Sequence, residues 1–193
     1  MTPRAPRLSV DERRQAILAA AVPVLIEHGR STTTRQIADA AGIAEGTVFR
    51  VFDTKEDLVD AALDTVFDPA DFLAELAVID PSLPLRERML AITTVLQRRF
   101  LQMFQLMAAL GIPPQAARHR GEHPSKWKEQ ATAQMVALLE PDAGLLRLPP
   151  EQVVRVLRLL TFSGSHPHIT EQLLLTPEEI VDVVLDGSRS REA

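Results

Sequence analysis

Apolar side chains recur along this chain every three to four residues instead of alternating, and that period predicts helices from one end to the other. In residues 33–41, Ile37, Ala38 and Ala41 make one apolar face while Arg35, Gln36 and Asp39 stay outward. Gly42 then supplies the left-handed backbone of a tight inter-helix turn. Ile43 returns to the core, and residues 45–52 restart as a helix that buries Val48 and Phe52. Two short helices about a glycine turn form a helix-turn-helix, whose second helix fits the major groove of a duplex. Upstream, Ser9-Val10-Asp11-Glu12 reads as a capping box that opens a helix running towards Glu27 and closed by Gly29. Pro23 removes one backbone hydrogen bond inside that helix, so a bend is expected near residues 19–22.

Further on, Thr54-Lys55-Glu56-Asp57 starts another helix, expected over 55–67, and prolines divide the rest of the chain. The pattern predicts helices over 70–78, 85–110, 124–140, 150–163 and 177–185, the last stopped by Gly187. The 85–110 segment carries Met89, Ile92, Leu96, Phe100, Met103, Phe104, Met107 and Leu110 at spacings of three and four, a stripe that must be buried.

These features appear in a particular order: long first helix, Gly29, a threonine run at 32–34, IADAAGI at 37–43, EGTVFRVF at 45–52, then Thr54-Lys55 with an acid after it. Over residues 9–66 that order resembles the TetR family of bacterial transcriptional regulators. The resemblance implies an all-α fold, with an N-terminal three-helix DNA-binding domain over residues 1–54. A helical-bundle effector-binding and dimerisation domain would occupy 55–193. It also implies roles for particular residues. Thr33 or Thr34 would offer a hydroxyl to a phosphate, and Arg35 would reach a guanine edge, whose two acceptors match its planar fork. Glu45, Gly46, Thr47 and Arg50 would meet bases or backbone, and Lys55 would grip phosphate as a point charge.

Three residues depart from the family pattern. Phe49 stands where a tyrosine hydroxyl usually meets a phosphate, Ala44 replaces a serine-like helix cap, and Val51 stands where histidine or tyrosine is common. Weaker DNA binding is expected. Glu45 serves either as a capping group or as an acceptor for a cytosine amino group.

Charge divides along the chain. Residues 1–52 carry seven basic and five acidic side chains and the remainder fourteen and twenty-one, within a formal net charge of −5. A basic reading end on an acidic body suits specific binding with little non-specific adhesion. Residues 1–8, with Arg4 and Arg7 and no acid, suit either a minor-groove arm or a disordered tail. The chain has no cysteine, which removes disulfides, thiol nucleophiles and thiolate metal sites. No apolar run reaches membrane-spanning length and no secretion signal is visible, so a cytoplasmic protein is expected.

In the second half, Phe100, Met103, Phe104 and Met107 suit ordinary core packing, and equally a deformable pocket for a small hydrophobic effector, with Trp127 packed or at its rim. The resemblance favours the pocket, since such regulators hold an effector inside the helical body. Val153, Val156, Leu157 and Leu160 form one stripe near the C-terminus and Ile180, Val181, Val184 and Leu185 another. Both suit an intramolecular core. The resemblance implies a four-helix homodimer interface instead, placing two recognition helices one turn apart on an inverted repeat of double-stranded DNA. His119, His123, His166 and His168 read as exposed loop histidines and not metal ligands, and Ser163-Gly164-Ser165 lacks the setting of a nucleophile. No cofactor, metal or enzymatic activity is expected. The competing reading is a helical hydrophobic-ligand carrier or protein-interaction module that keeps the helix-turn-helix as scaffold.

Overall fold

Ser9 and Glu12 satisfy each other's backbone, Ser9 N–H donating to Glu12 Oε2 at 2.7 Å and Glu12 N–H to Ser9 Oγ at 3.1 Å. The Ser9 backbone N–H, and after it the Ser9 side chain, hold the Glu12 carboxyl below its ordinary range. They open α1, Val10–His28, which runs through Pro23 as one helix and buries Ile17, Leu18, Ala21, Val22 and Leu25. The computed structural model describes residues 9–113 and 124–188, and every regular element among them is helical. After α1 and a short 3-10 turn, Gly29–Ser31, come α2 (Thr34–Ala40), α3 (Glu45–Val48) and α4 (Lys55–Phe67). Next in the chain are α5 (Ala70–Ala77), α6 (Leu85–Ala109), α7 (Pro124–Leu139), a 3-10 segment (Glu140–Leu145), α8 (Pro150–Gly164) and α9 (Pro177–Ser188).

The chain forms two compact units. Among the described residues the first holds 9–67 together with 105–113 at and beyond the end of α6. Helix α4, which the sequence reading placed after the boundary at Thr54, packs within this unit, burying Leu58, Ala61 and Ala62 and meeting α1. The second unit holds α5, α6 up to Phe104, and α7 to α9 around a core that includes Phe72, Met89, Ile92, Met135, Leu139 and Leu157. The α6 stripe is buried as its spacing predicts at Met89, Ile92 and Leu96, and again at Met107 and Leu110 in the first unit.

One helix of the second unit runs past its expected stop for a visible reason. Helix α9 passes through Gly187 because its last carbonyls have other partners: Arg147 Nε donates to Gly187 O at 2.6 Å and Arg147 N–H to Ser188 O at 2.7 Å. Within the second unit, Arg88 is only 2% exposed on α6. Its guanidinium donates to Leu138 O at 2.6 Å and pairs with Asp142, so the buried charge is neutralised where α7 meets the 3-10 segment. No helix among the described residues is long and apolar enough to cross a membrane.

Candidate nucleic-acid interface

The first unit presents the two short helices through a chain of local bonds. Thr33 caps α2, its N–H donating to Gln36 Oε1 at 2.8 Å while Gln36 N–H donates to Thr33 Oγ1 at 3.2 Å. Gly42 adopts φ +66°, with open space where a Cβ would stand, so the turn needs its backbone freedom and not its small size. Ile43 N–H then closes back on Ala38 O at 3.0 Å. The second helix is shorter than the expected 45–52. Regular α-helix covers Glu45–Val48, and looser turns continue to Val51. Ala44 offers no side-chain cap, and Gly46, Thr47, Val48 and Val51 are weak helix formers, so little beyond the burial of Val48 and Phe52 holds it. Arg14 lies over the Phe52 ring at 4.5 Å, and Thr54 and Asp57 cap α4 reciprocally at 3.0 Å.

Most of the expected phosphate donors are engaged inside the protein. The Thr33 hydroxyl donates to Gln36 Oε1 at 3.0 Å and the Thr34 hydroxyl to Glu45 Oε1 at 2.6 Å. Lys55 Nζ donates to the Arg30 carbonyl at 2.9 Å. Arg35 and Arg50, in contrast, are exposed and have no hydrogen-bond or ion-pair partner among the described residues. Phe49 is 49% exposed, a large apolar surface beside Arg50. Gly46 has nothing within 4 Å of where a Cβ would stand, so its surface is bare backbone. Thr47 is half-buried between them. This end of the unit offers two unpaired guanidiniums, exposed amides and one carboxylate.

A second cluster of contacts in the same unit involves a residue without local sequence signal. Gly29 has φ +57°, and a Cβ there would lie 2.4 Å from the Ala109 carbonyl oxygen, so only glycine lets the end of α6 come so close. Arg30 Nε donates to Leu110 O at 2.7 Å across 80 residues of chain. Arg30 thus holds the end of α6 with its side chain and Lys55 with its carbonyl.

The body gathers only part of the expected pocket. Phe100 and Phe104 stack at 6.3 Å, and Phe162 stands edge-on to both, at 5.2 and 5.1 Å. Met103 is half-buried on the same helix, whereas Met107 belongs to the first unit. Trp127 lies in a separate cluster, edge-on to Phe72 at 6.4 Å with the Arg99 guanidinium over its ring at 5.3 Å. Burial pushes the Arg99 guanidinium below its ordinary range. His166 is not the exposed loop residue expected. It is half-buried against Phe104 at 4.5 Å, with Nδ1 enclosed and unpartnered, and His168 beside it is exposed. His119 and His123 lie outside the described residues. A cleft of about 860 Å³ elsewhere in the body is lined by Pro81, Ser82, Arg86, Arg88 and Asp142, and by none of the expected pocket residues.

The two C-terminal stripes are mostly core. Val153, Leu157, Ile180, Val181, Val184 and Leu185 are buried inside the protomer because α8 and α9 pack these faces on each other and on the body core. They present no surface to a partner. Leu160 is half-buried, and of the eight only Val156 is exposed, at 45%. The exposed apolar residues of α8 are Val156, Leu159 and Phe162, an i, i+3, i+6 row on the opposite face. Among the described residues no group of three or more histidine, aspartate or glutamate side chains could hold a metal ion.

Residues 17–62 match the family model for bacterial regulatory proteins of the tetR family. Over 52 residues the chain is 48% identical to the HTH-type transcriptional repressor KstR2 of Rhodococcus jostii strain RHA1, a stretch amounting to 26% of each protein. It is 44% identical over 55 residues to KstR2 of Mycobacterium tuberculosis, 28% of each. The match therefore spans about a quarter of the length of these curated relatives. A solved structure of the TetR transcriptional regulator SCO0520 from Streptomyces coelicolor aligns with a TM-score of 0.61 at 27% identity, covering 93% of this chain and 99% of that one. SmeT, the repressor of a multidrug efflux pump in Stenotrophomonas maltophilia, shares the fold with a TM-score of 0.53 at 22% identity, over 92% and 90% of the two chains.

Proposed function

Because this chain belongs, through its N-terminal domain, to the TetR family of bacterial regulatory proteins, we propose that it is a cytoplasmic, ligand-responsive transcriptional repressor. It binds an inverted-repeat operator as a homodimer and is released by a small hydrophobic effector. The observation that carries this reading is the pair of exposed, unpartnered guanidiniums, Arg35 and Arg50, flanking the turn between two packed helices. Arginine in that position pairs with guanine edges or phosphates, and no acid among the described residues neutralises either side chain. The second protomer docks on the exposed row Val156, Leu159 and Phe162, with Val183 of α9 also exposed at 65%. Two-fold pairing there sets the recognition helices about 34–36 Å apart. The effector is received beside the Phe100, Phe104 and Phe162 rings. Its signal moves α4 and the end of α6 together, because Arg30 is bonded to both.

Fluorescence anisotropy at two salt concentrations tests the reading, using a pool of inverted-repeat duplexes and the DNA upstream of the protein's own gene. Selective binding that weakens steeply with salt is expected. Absence of selection under both conditions would leave a helical ligand-binding module as the better description.

A further inference from the structure

At the start of the recognition helix, Glu45 is an exposed carboxylate at a surface that is expected to approach polyanionic DNA. A carboxylate there opposes every phosphate, so it weakens binding unless it finds a donor. The structure holds it in one pose. Thr34, at the first position of α2, donates its hydroxyl to Glu45 Oε1 at 2.6 Å, a short charge-assisted bond between the two helices. The other oxygen, Oε2, has no partner among the described residues. The result is an exposed carboxylate held at one oxygen, with no donor at the other among the described residues.

We infer that Glu45 is a specificity-determining residue that reads a cytosine in each operator half-site, with Thr34 as its positioning residue; this rests on the regulator reading above. In the major groove only cytosine N4 and adenine N6 offer donors. Adenine sets its N7 acceptor beside N6, so the second carboxylate oxygen would face a lone pair. Guanine offers two acceptors, and thymine an acceptor and a methyl group. Cytosine alone meets the carboxylate with a donor and no adjoining acceptor on the same base. In this assignment the Thr34 hydroxyl holds Glu45 and not the phosphate that the resemblance offers to Thr33 or Thr34.

Selection from duplexes randomised in both half-sites, run on the full chain as wild type, Glu45→Gln and Thr34→Val, tests the assignment. The amide of E45Q keeps the acceptor that Thr34 bonds and puts a donor where Oε2 stood. One symmetric position should therefore change from cytosine to thymine, whose O4 occupies the place of cytosine N4, with discrimination at that position reversing by about ten-fold. T34V should keep cytosine but discriminate several-fold less, with an unaltered salt slope. If Glu45 only braces the two helices, E45Q recovers the wild-type motif, and that result overturns the inference while leaving the regulator reading intact. Unchanged discrimination in T34V overturns the positioning role. If the wild type itself recovers no motif, the regulator reading fails and this assignment fails with it.

Discussion

Phe49 shows how a single atom changes the chemistry of the reading surface. It is 49% exposed, so a hydroxyl added to its ring would meet solvent or DNA and not the core. Phe49→Tyr is expected to leave thermal stability unchanged and to tighten operator binding about five-fold, the worth of one hydrogen bond near 1 kcal/mol. Titration of both proteins against the same duplex checks it. Gly46 offers the opposite case. Nothing among the described residues lies within 4 Å of the place of a Cβ, so Gly46→Ala should gain roughly 0.5–1 kcal/mol of stability from helix propensity. If the bare backbone is there to let DNA approach, the same variant binds operator more weakly; a variant both more stable and equally tight in binding would remove that role. Both residues could be singled out from sequence. The internal commitment of Thr34 and Lys55 could not, because their partners lie 11 and 25 residues away on other elements.

Helices were the more legible level, wherever their bonds are local. The Ser9/Glu12 box, the Gly42 turn and both ends of the α6 stripe are short-range patterns, and each forms as its spacing predicts, while Phe100, Met103 and Phe104 in the middle of that stripe are only half-buried. Glu12 adds a pH dependence with a definite sign. Its carboxyl titrates lower in the folded chain than its reference value of 4.5, so the stabilisation is present above that pH and is lost as pH falls through the folded value. The recognition helix is the exception, ending early because its cap is alanine and its interior is glycine and β-branched residues. Gly29 is a second, for a different reason. It reads as a plain helix stop, yet its positive φ and the Ala109 oxygen at 2.4 Å from a would-be Cβ make it an inter-element contact. Gly29→Ala is expected to cost about 1–3 kcal/mol from backbone strain alone, because φ +57° with ψ −136° is a sparsely populated conformation for a residue with a Cβ. The clash adds to that cost, because its partner is backbone and cannot rotate away. A denaturant melt with no shift would show that the corner relaxes freely.

The proposed pairing of two protomers depends on which apolar face each helix has left over once its own core is built. Helices α8 and α9 are apolar over more than one side, and the stripes with the clearest spacing went inward. What remains is Val156, Leu159 and Phe162 on α8, of which Leu159 is 59% exposed, and Val183 on α9. Leu159→Glu is therefore expected to yield a monomer by sedimentation equilibrium while folding normally, since the side chain takes no part in the core. Operator affinity should fall in parallel, because a single module loses the contacts of the second half-site. A dimer that survives this substitution would place the two-fold interface elsewhere.

From the order of residues alone came the helical class, most helix boundaries, the helix-turn-helix and the family whose model its N-terminal segment matches. All of these rest on periodicity, capping and turn chemistry within a few residues of chain, and such interactions are the same wherever the segment is placed. Folding in three dimensions decided which stripe of a two-faced helix is core, that the end of α6 joins the first unit through Gly29 and Arg30, and that Thr34 holds Glu45. Those outcomes depend on contacts between distant segments, where several apolar or polar partners compete and packing geometry selects among them.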